Sequence, residues 1–470
     1  MSISLSRRHV LAGLASAGLI PLARGGRPPN VLWISIDDLN DWTGNLGGHP
    51  QAATPHLDAL AARGRSFTQA HCNAPACNPS RTATLTGVAP HRSGVYSNQA
   101  AWWVPLGDTP TLPALLRSSG YRTLGAGKVF HFGDRSVWDA YMGDPCDKLH
   151  ADEGAKPNKS NLVRVDEMAW GRSRSKKDRG HPDRRIADWV SAQLALPQDK
   201  PFFLAAGFMK PHLPWYAPKP FFDARPIDDI VLPHVPPDEM KDIPPAGQRL
   251  AYMKTHDKVV TTDAWKSAVQ GYLAAITFVD TMLGEVIAAL NASAHRDNTL
   301  VVVWSDHGWS LGEKFHWKKF ALWEECTRVP LVFAGPGITP GECDRVVGLI
   351  DVYPTMARLC GAQVDHLIDG TDLAPLLANP TARWHRPVLT TQGEHNHAIR
   401  TQRWRYIRYG EGGEELYDHS VDPGEHDNLV DTPGVQAVLA QLRPLIPKTT
   451  APVAPVTVNK CRPGTLATPS

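Results

Sequence analysis

Residues 75–87 read PACNPSRTATLTG, and this stretch combines residue types that rarely meet by chance. A cysteine, Cys77, is followed by Pro79, Ser80 and Arg81. Proline suits the first turn of a helix, where its missing N–H has no intrahelical partner. The run Arg81–Leu85 then predicts helix, with Gly87 as its stop. That places Cys77 at a helix N-terminus, where free N–H groups and the helix dipole favour an anion. A lone cysteine would more often be a small core residue. A cysteine with this company is a candidate nucleophile beside an anion site.

Four apolar runs end in residues that do chemistry. Val31–Ile36 runs into Asp37-Asp38, and Leu300–Trp304 into Ser305-Asp306-His307-Gly308. Phe202–Ala206 leads to Lys210-Pro211-His212, and Tyr121–Ala126 to Lys128 and His131. Continuous apolar runs of this length suit strands buried on both faces. Helical patterns alternate with them at Pro55–Arg63, Leu112–Ser118, Arg184–Leu194 and Lys266–Leu290. The alternation predicts an α/β fold with a largely parallel sheet. In such sheets ligands bind beyond the carboxyl ends of the strands. Adjacent carboxylates at a buried strand end repel. A divalent cation would relieve Asp37 and Asp38, and Asp306-His307 at a second strand end favours that reading.

The C-x-P-S-R…T-G pattern at Cys77 resembles the maturation motif of the type I sulfatases. Gly127-Lys128-Val129-Phe130-His131 is similar to the G-K-x-x-H motif of that family. Met209–Pro214 (MKPHLP) and Asp306–Lys319 (DHGWSLGEKFHWKK) resemble its iduronate-2-sulfatase branch more narrowly. The resemblance spans Pro28 to Leu429. It implies an alkaline-phosphatase-like sandwich with a large, mostly parallel central sheet and a smaller C-terminal antiparallel sheet, over residues 28–375 and 376–446. It implies that Cys77 is oxidised to formylglycine, whose hydrate attacks sulfur to form a covalent sulfo-enzyme. It implies a divalent cation on Asp37, Asp38, Asp306 and His307, usually calcium, although His307 also admits magnesium or manganese. Arg81, Lys128 and Lys319 would hold the sulfate, with Lys318 a less favoured neighbour of Lys319. His212 would serve as acid for the leaving alcohol and His131 as base for the hydrate. Trp309 would line the substrate pocket, with Lys210 near it. Lys210 and Lys318 considered singly read as structural or solvated residues. The implied partners are a formylglycine-generating enzyme and a sulfated saccharide, such as the 2-O-sulfate of a uronic acid. A carboxylated sugar needs a further cation, and Arg residues in 400–408 (RTQRWRYIR) are candidates. Relatives that act on phosphonate monoesters or phosphodiesters form the alternative. An inactive sugar-binding descendant should show decayed strand endings, and none is decayed.

Composition fits a large globular enzyme. The chain has 470 residues, 42% of them hydrophobic, with 41 prolines and 38 glycines that favour many ordered turns. Its 49 Lys+Arg nearly cancel 47 Asp+Glu, which gives no case for nucleic-acid binding. Residues 1–23 read as a signal peptide with Arg7-Arg8 ahead of a short apolar run, similar to a twin-arginine export signal. Cleavage after Ala17 or Ala23 would leave a periplasmic or secreted protein. No later segment is expected to have the length and apolarity of a membrane helix. If Cys77 is converted, six cysteines remain and no pairing is favoured; the absence of paired C-x-x-C units argues against structural zinc. Residues 447–470 read as an extended or mobile cover rich in Pro, Thr and Ala.

Overall fold

The computed structural model describes residues 28–147, 155–174 and 180–463; the expected signal peptide lies outside them. Its centre is an eight-stranded sheet in the order β8-β2-β7-β6-β1-β5-β3-β4. In chain order the strands are β1 (Asn30–Ile36), β2 (Arg65–Phe67), β3 (Arg122–Gly127) and β4 (Ala140–Tyr141). They continue with β5 (Phe202–Phe208), β6 (Thr299–Ser305), β7 (Leu331–Ala334) and β8 (Gly341–Cys343). The pairs β6-β1, β1-β5, β5-β3 and β3-β4 are parallel. The sheet is nevertheless mixed, because β7 runs antiparallel to both β6 and β2.

Register explains why the strand endings meet. Ile36 pairs with Ser305 on one side and Phe208 on the other, and Gly127 pairs with Gly207. Asp37, Asp306, Met209 and Lys128 therefore leave the sheet at one level. The strands are apolar on both faces because both are covered. On one face pack α1 (Pro55–Ala62), α4 (Pro182–Ala195) and α5 (Trp265–Ala292). The other face holds α3 (Leu112–Ser118) and the helix Val352–Leu359. Helix α5 corrects one expectation. Its 28 residues, with a mean hydropathy of 1.8 over the most apolar window, have the length and apolarity of a membrane span. That window is 72% buried within the protein, so α5 is accounted for as the main core helix against the sheet.

Residues 388–418 form a four-stranded antiparallel sheet: β9 (Val388–Gln392), β10 (Asn396–Arg400), β11 (Trp404–Arg408) and β12 (Glu414–Asp418). Beyond it the chain runs as an extended strap. Ala451 N–H donates to His91 O, Ala454 N–H to Gly94 O and Thr457 N–H to Gln99 O, and Ala101 N–H donates back to Pro455 O. A disulfide joins Cys146 to Cys461, a pairing the sequence left open. Gly94 caps its short helix with φ 73°, and a Cβ there would lie 2.1 Å from Pro452 O. Gly94→Ala should therefore cost about 1–3 kcal/mol in backbone strain and displaced strap. Thermal unfolding should show the loss, and limited proteolysis should cut faster beyond residue 446.

Candidate active site

Helix α2 (Cys77–Thr86) begins at the cysteine and ends at Gly87 in the left-handed conformation, φ 71°. Every residue of it is buried. Asn78 fixes its start: its backbone N–H donates to Asn98 Oδ1, and its amide donates to Ser97 O and Ala100 O. Ser80 Oγ donates to Asp306 O and joins the helix to the end of β6.

Arg81 is the hub. Its Nε lies 2.8 Å from Asp306 Oδ2 and its Nη2 lies 3.0 Å from Asp37 Oδ1. Its Nη1 donates to the carbonyls of Lys128 and Val129 and to Ser35 Oγ. The guanidinium was expected on the substrate sulfate, but all three of its nitrogens are engaged by protein. Arg81 organises the carboxylates and the β3 exit through these contacts. Lys128 Nζ lies 2.5 Å from Asp37 Oδ2. Lys319 Nζ lies 2.8 Å from Asp38 Oδ1 and 3.1 Å from Cys77 Sγ.

Asp38 turns back into the site at φ 63°, a left-handed conformation that aspartate tolerates better than most residues. The Tyr272 hydroxyl on α5 holds it by donating to Asp38 O, while accepting from Asn40 N–H. Asp38 N–H donates to Asp306 Oδ1, and Leu39 N–H donates to Ser305 Oγ. His307 Nε2 lies 3.3 Å from both Asp38 Oδ1 and Cys77 Sγ and 3.7 Å from Asp306 Oδ2.

These contacts set the charge states. Burial pushes the Cys77 thiol up, but Lys128 and Lys319 more than reverse this and bring it down to about 5. Burial opposes ionisation of Asp37 too, yet Lys128, His212 and Arg81 hold it well below the carboxylate range. Asp306 is raised to about 6, because burial outweighs the pull of Arg81 and His307. Burial lowers His307, and the surrounding Asp306 and Cys77 charges lift it to about 9.

The donor set fits a cation. Asp38, Cys77, Asp306 and His307 each place a ligand atom within 4.8 Å of the others. Asp38 Oδ2 is buried with no hydrogen-bond partner. His307 Nδ1 faces Gly308 O at 3.0 Å, so with one proton held there the neutral ring would turn its Nε2 lone pair toward a cation that displaces the second proton. Asp37 belongs to an adjoining set with Asp38, Cys77 and His212, and both its oxygens already meet Arg81 and Lys128.

The remaining expected residues are spread around this centre. His212 Nε2 lies 3.9 Å from Asp38 Oδ2, with the ring partly exposed and Nδ1 2.6 Å from Leu213 O. Its loop is set by Asp183 on α4, whose carboxylate accepts from the N–H groups of Met209 and Lys210. Lys210 is buried, and its ammonium donates to Pro214 O and His212 O, bracing that loop. His131 is half-buried, three residues past Lys128, with its ring edge-on to Phe132. Trp309 is 2% exposed and lies under the Lys319 ammonium at 5.6 Å, as a buried floor. In the 400–408 segment, Arg400 and Arg405 are buried against Glu324, and Arg403 pairs with Asp418. Arg400 and Arg405 thus brace β10 and β11, whereas Arg403 and Arg408 are exposed. Tyr272, Asp183, Ser80, Ser305 and Asn78 carry positioning roles that the sequence did not single out. Ser80 and Asn78 at least stood inside the Cys77 motif.

Residues 29–362 match the family Sulfatase, and residues 312–451 match the family N-sulphoglucosamine sulphohydrolase, C-terminal. The chain belongs to the sulfatase family. This sulfatase is 34% identical over 459 residues to a "Sulfatase" of Formosa agariphila, covering 90% of this chain and 87% of that one. It is 29% identical to human iduronate 2-sulfatase over 377 residues, covering 74% of this chain and 68% of that protein. A solved 2-O GAG sulfatase is 25% identical with a TM-score of 0.69, covering 89% of this chain and 91% of that one. The enzyme is accordingly a sulfuric ester hydrolase with the alkaline-phosphatase-like α/β fold.

Removing the hub cation should be costly even before activity is considered. Arg81→Met strands Asp37 and Asp306 as buried charges, and breaking such a pair costs about 3–5 kcal/mol. Denaturant unfolding of the purified variant should show that loss, whereas a change below about 1 kcal/mol would contradict the hub assignment.

Proposed function

We propose that this sulfatase hydrolyses sulfate monoesters of glycosaminoglycan-type saccharides, through a formylglycine made from Cys77. The observation that carries the reading is a buried cysteine at a helix N-terminus, 3.1 Å from Lys319 and 3.3 Å from His307. Once present, the hydrate of the formylglycine aldehyde would supply the attacking oxygen. A divalent cation, calcium by family habit, would sit on Asp37, Asp38, Asp306 and His307 and lower the cost of negative charge there.

The chain's own residues supply the rest. Lys128 and Lys319 bring two ammonium groups to the nucleophile position and would bind sulfate oxygens as charge grows. Arg81 orients Asp37 and Asp306, so neither acid can swing away when a ligand arrives. His212, partly exposed at the mouth, would hold a proton on Nε2 for the leaving alcohol. His131 would accept the proton whose loss restores the aldehyde. The low thiol pKa of unmatured Cys77 supports the same electrostatic picture, since the site favours an anion at that atom.

The protein is proposed to work in the periplasm or outside the cell, after twin-arginine export of folded enzyme and removal of residues 1–23. The Arg7-Arg8 leader supports this, and so does the Cys146–Cys461 disulfide, which suits an oxidising compartment.

Peptide mass spectrometry across residue 77, on protein from its own host, should find aldehyde in place of thiol. Cys77→Ser should lose about a thousandfold in sulfatase kcat or more; an unmodified Cys77 in active enzyme overturns the mechanism. Matched aryl sulfate and aryl phosphonate substrates separate the proposed activity from a phosphonate monoester hydrolase. His212→Ala should slow a sugar sulfate by about a hundredfold or more, yet slow 4-nitrophenyl sulfate far less, because that leaving group needs little protonation. Equal losses on both substrates would remove His212 from the acid role.

A further inference from the structure

Lys318 stands beside the sulfate-binding candidate Lys319, yet the two lysines are used differently. In a regular strand, neighbouring side chains point to opposite faces. Here Lys318 has φ 76° and Phe320 has φ 81°, both left-handed, so the backbone around Lys319 is bent out of that alternation. Such conformations are unfavourable for residues other than glycine and persist where the surroundings impose them.

The ion pair made by Lys318 is lopsided. Its side chain is 10% exposed and its Nζ lies 2.8 Å from Glu167 Oε2, while the Glu167 side chain is 88% exposed. Among the described residues this is its one ion pair. A nearly buried ammonium needs an anion. A carboxylate standing in water gains little from such a pair. Glu167 is therefore an easily exchanged partner, and Lys318 is not an easily abandoned cation.

The surroundings hold Lys318 in place and leave Glu167 free to swing. Lys318 Nζ lies 5.3 Å from the centre of the Tyr252 ring. The Tyr252 hydroxyl, raised chiefly by burial, feels both the Glu167 carboxylate and the Lys319 ammonium. Tyr252 is thus within electrostatic reach of both Glu167 and the sulfate-binding candidate Lys319. Glu167 comes from the turn between strands Val163–Val165 and Met168–Arg172. Its neighbour Asp166 is anchored by Thr255 and Lys258, so the turn is pinned one residue away.

We propose that Lys318 binds a second anionic group, a carboxylate or a second sulfate, on the saccharide whose sulfate ester sits at Lys319. Glu167 holds that place in the free enzyme and is displaced by substrate. The inference rests on the sulfatase reading above and names the substrate class: saccharides with an acidic group near the scissile ester.

The test uses mature, metal-loaded enzyme and three aryl glycosides: a hexose 2-sulfate, the uronate 2-sulfate differing only in its carboxylate, and the hexose 2,6-disulfate. Wild type should favour at least one doubly anionic substrate over the hexose 2-sulfate by about tenfold in kcat/KM, which is about 1.4 kcal/mol. Lys318→Ala should erase that preference through KM, and Lys318→Arg should restore part of it. Preference for the uronate identifies a carboxylate, and preference for the disulfate identifies a second sulfate. Should Lys318→Ala fail to fold, Glu167→Gln is the second variant. It should lower KM for the preferred dianion by about threefold relative to the hexose 2-sulfate, because competition at Lys318 is lost. No preference in wild type, or a preference that survives Lys318→Ala or ignores Glu167→Gln, overturns the inference and leaves the sulfatase reading standing. Wild type that hydrolyses none of the three, nor an aryl sulfate, overturns both.

Discussion

The site depends on one electrostatic arrangement: carboxylates and cations buried together around Cys77. Asp37, Asp38 and Asp306 face Arg81, Lys128 and Lys319 within hydrogen-bonding distance. Taking any of these charges out of water alone would cost several kcal/mol. Together they are tolerable, because each acid meets a cation or a polar hydrogen. With the thiolate, four anions face three side-chain cations and His307, whose ring must give up its Nε2 proton before it can act as a ligand, and Asp38 Oδ2 is left unpaired. An ion with positive charge would complete the set. The cluster is thus stabilised as a whole, with Arg81 coupling the acids from two strands.

Such a cluster needs precise backbone placement, and the sheet supplies it. The parallel register of β6, β1, β5 and β3 delivers four loop starts to one edge. Each loop is then turned by a residue from elsewhere. Tyr272 on the core helix α5 controls the Asp38 turn, and Asp183 on α4 controls the loop bearing His212. Ser80 and Arg81 carry α2 onto the ends of β6 and β1. The core therefore does more than support the site from below: hydroxyls and carboxylates rise from it to set individual dihedrals.

This division explains what was legible in the sequence. The runs 31–36, 121–126, 202–206 and 300–304 announced buried strands, and polar residues straight after them announced the site. The Cys77 motif is local, so the helix, its N-terminal cysteine and its glycine stop could all be read. Antiparallel β7 and short β2 could not, because strand direction depends on partners far along the chain. The hub role of Arg81 was not legible, because a sequence does not show how many protein acceptors surround a guanidinium. Tyr272 and Asp183 are ordinary residues in ordinary helices, and each matters through a contact far away in sequence. Arg400 and Arg405 looked available for a sugar because their acid, Glu324, lies near residue 324 rather than beside them.

The strap that ends at Cys461 has a consequence for the order in which the molecule is completed. The loop 97–100 that grips Asn78 is itself paired with residues 455–457. A ribosome makes residue 78 long before residue 455, at about 5–20 residues per second. Through most of synthesis the segment around Cys77 lacks its last support. The side chain next to the nucleophile is locked from the outside only when the far end of the polypeptide arrives. The fold thus contains a built-in interval in which position 77 is already made but not yet enclosed.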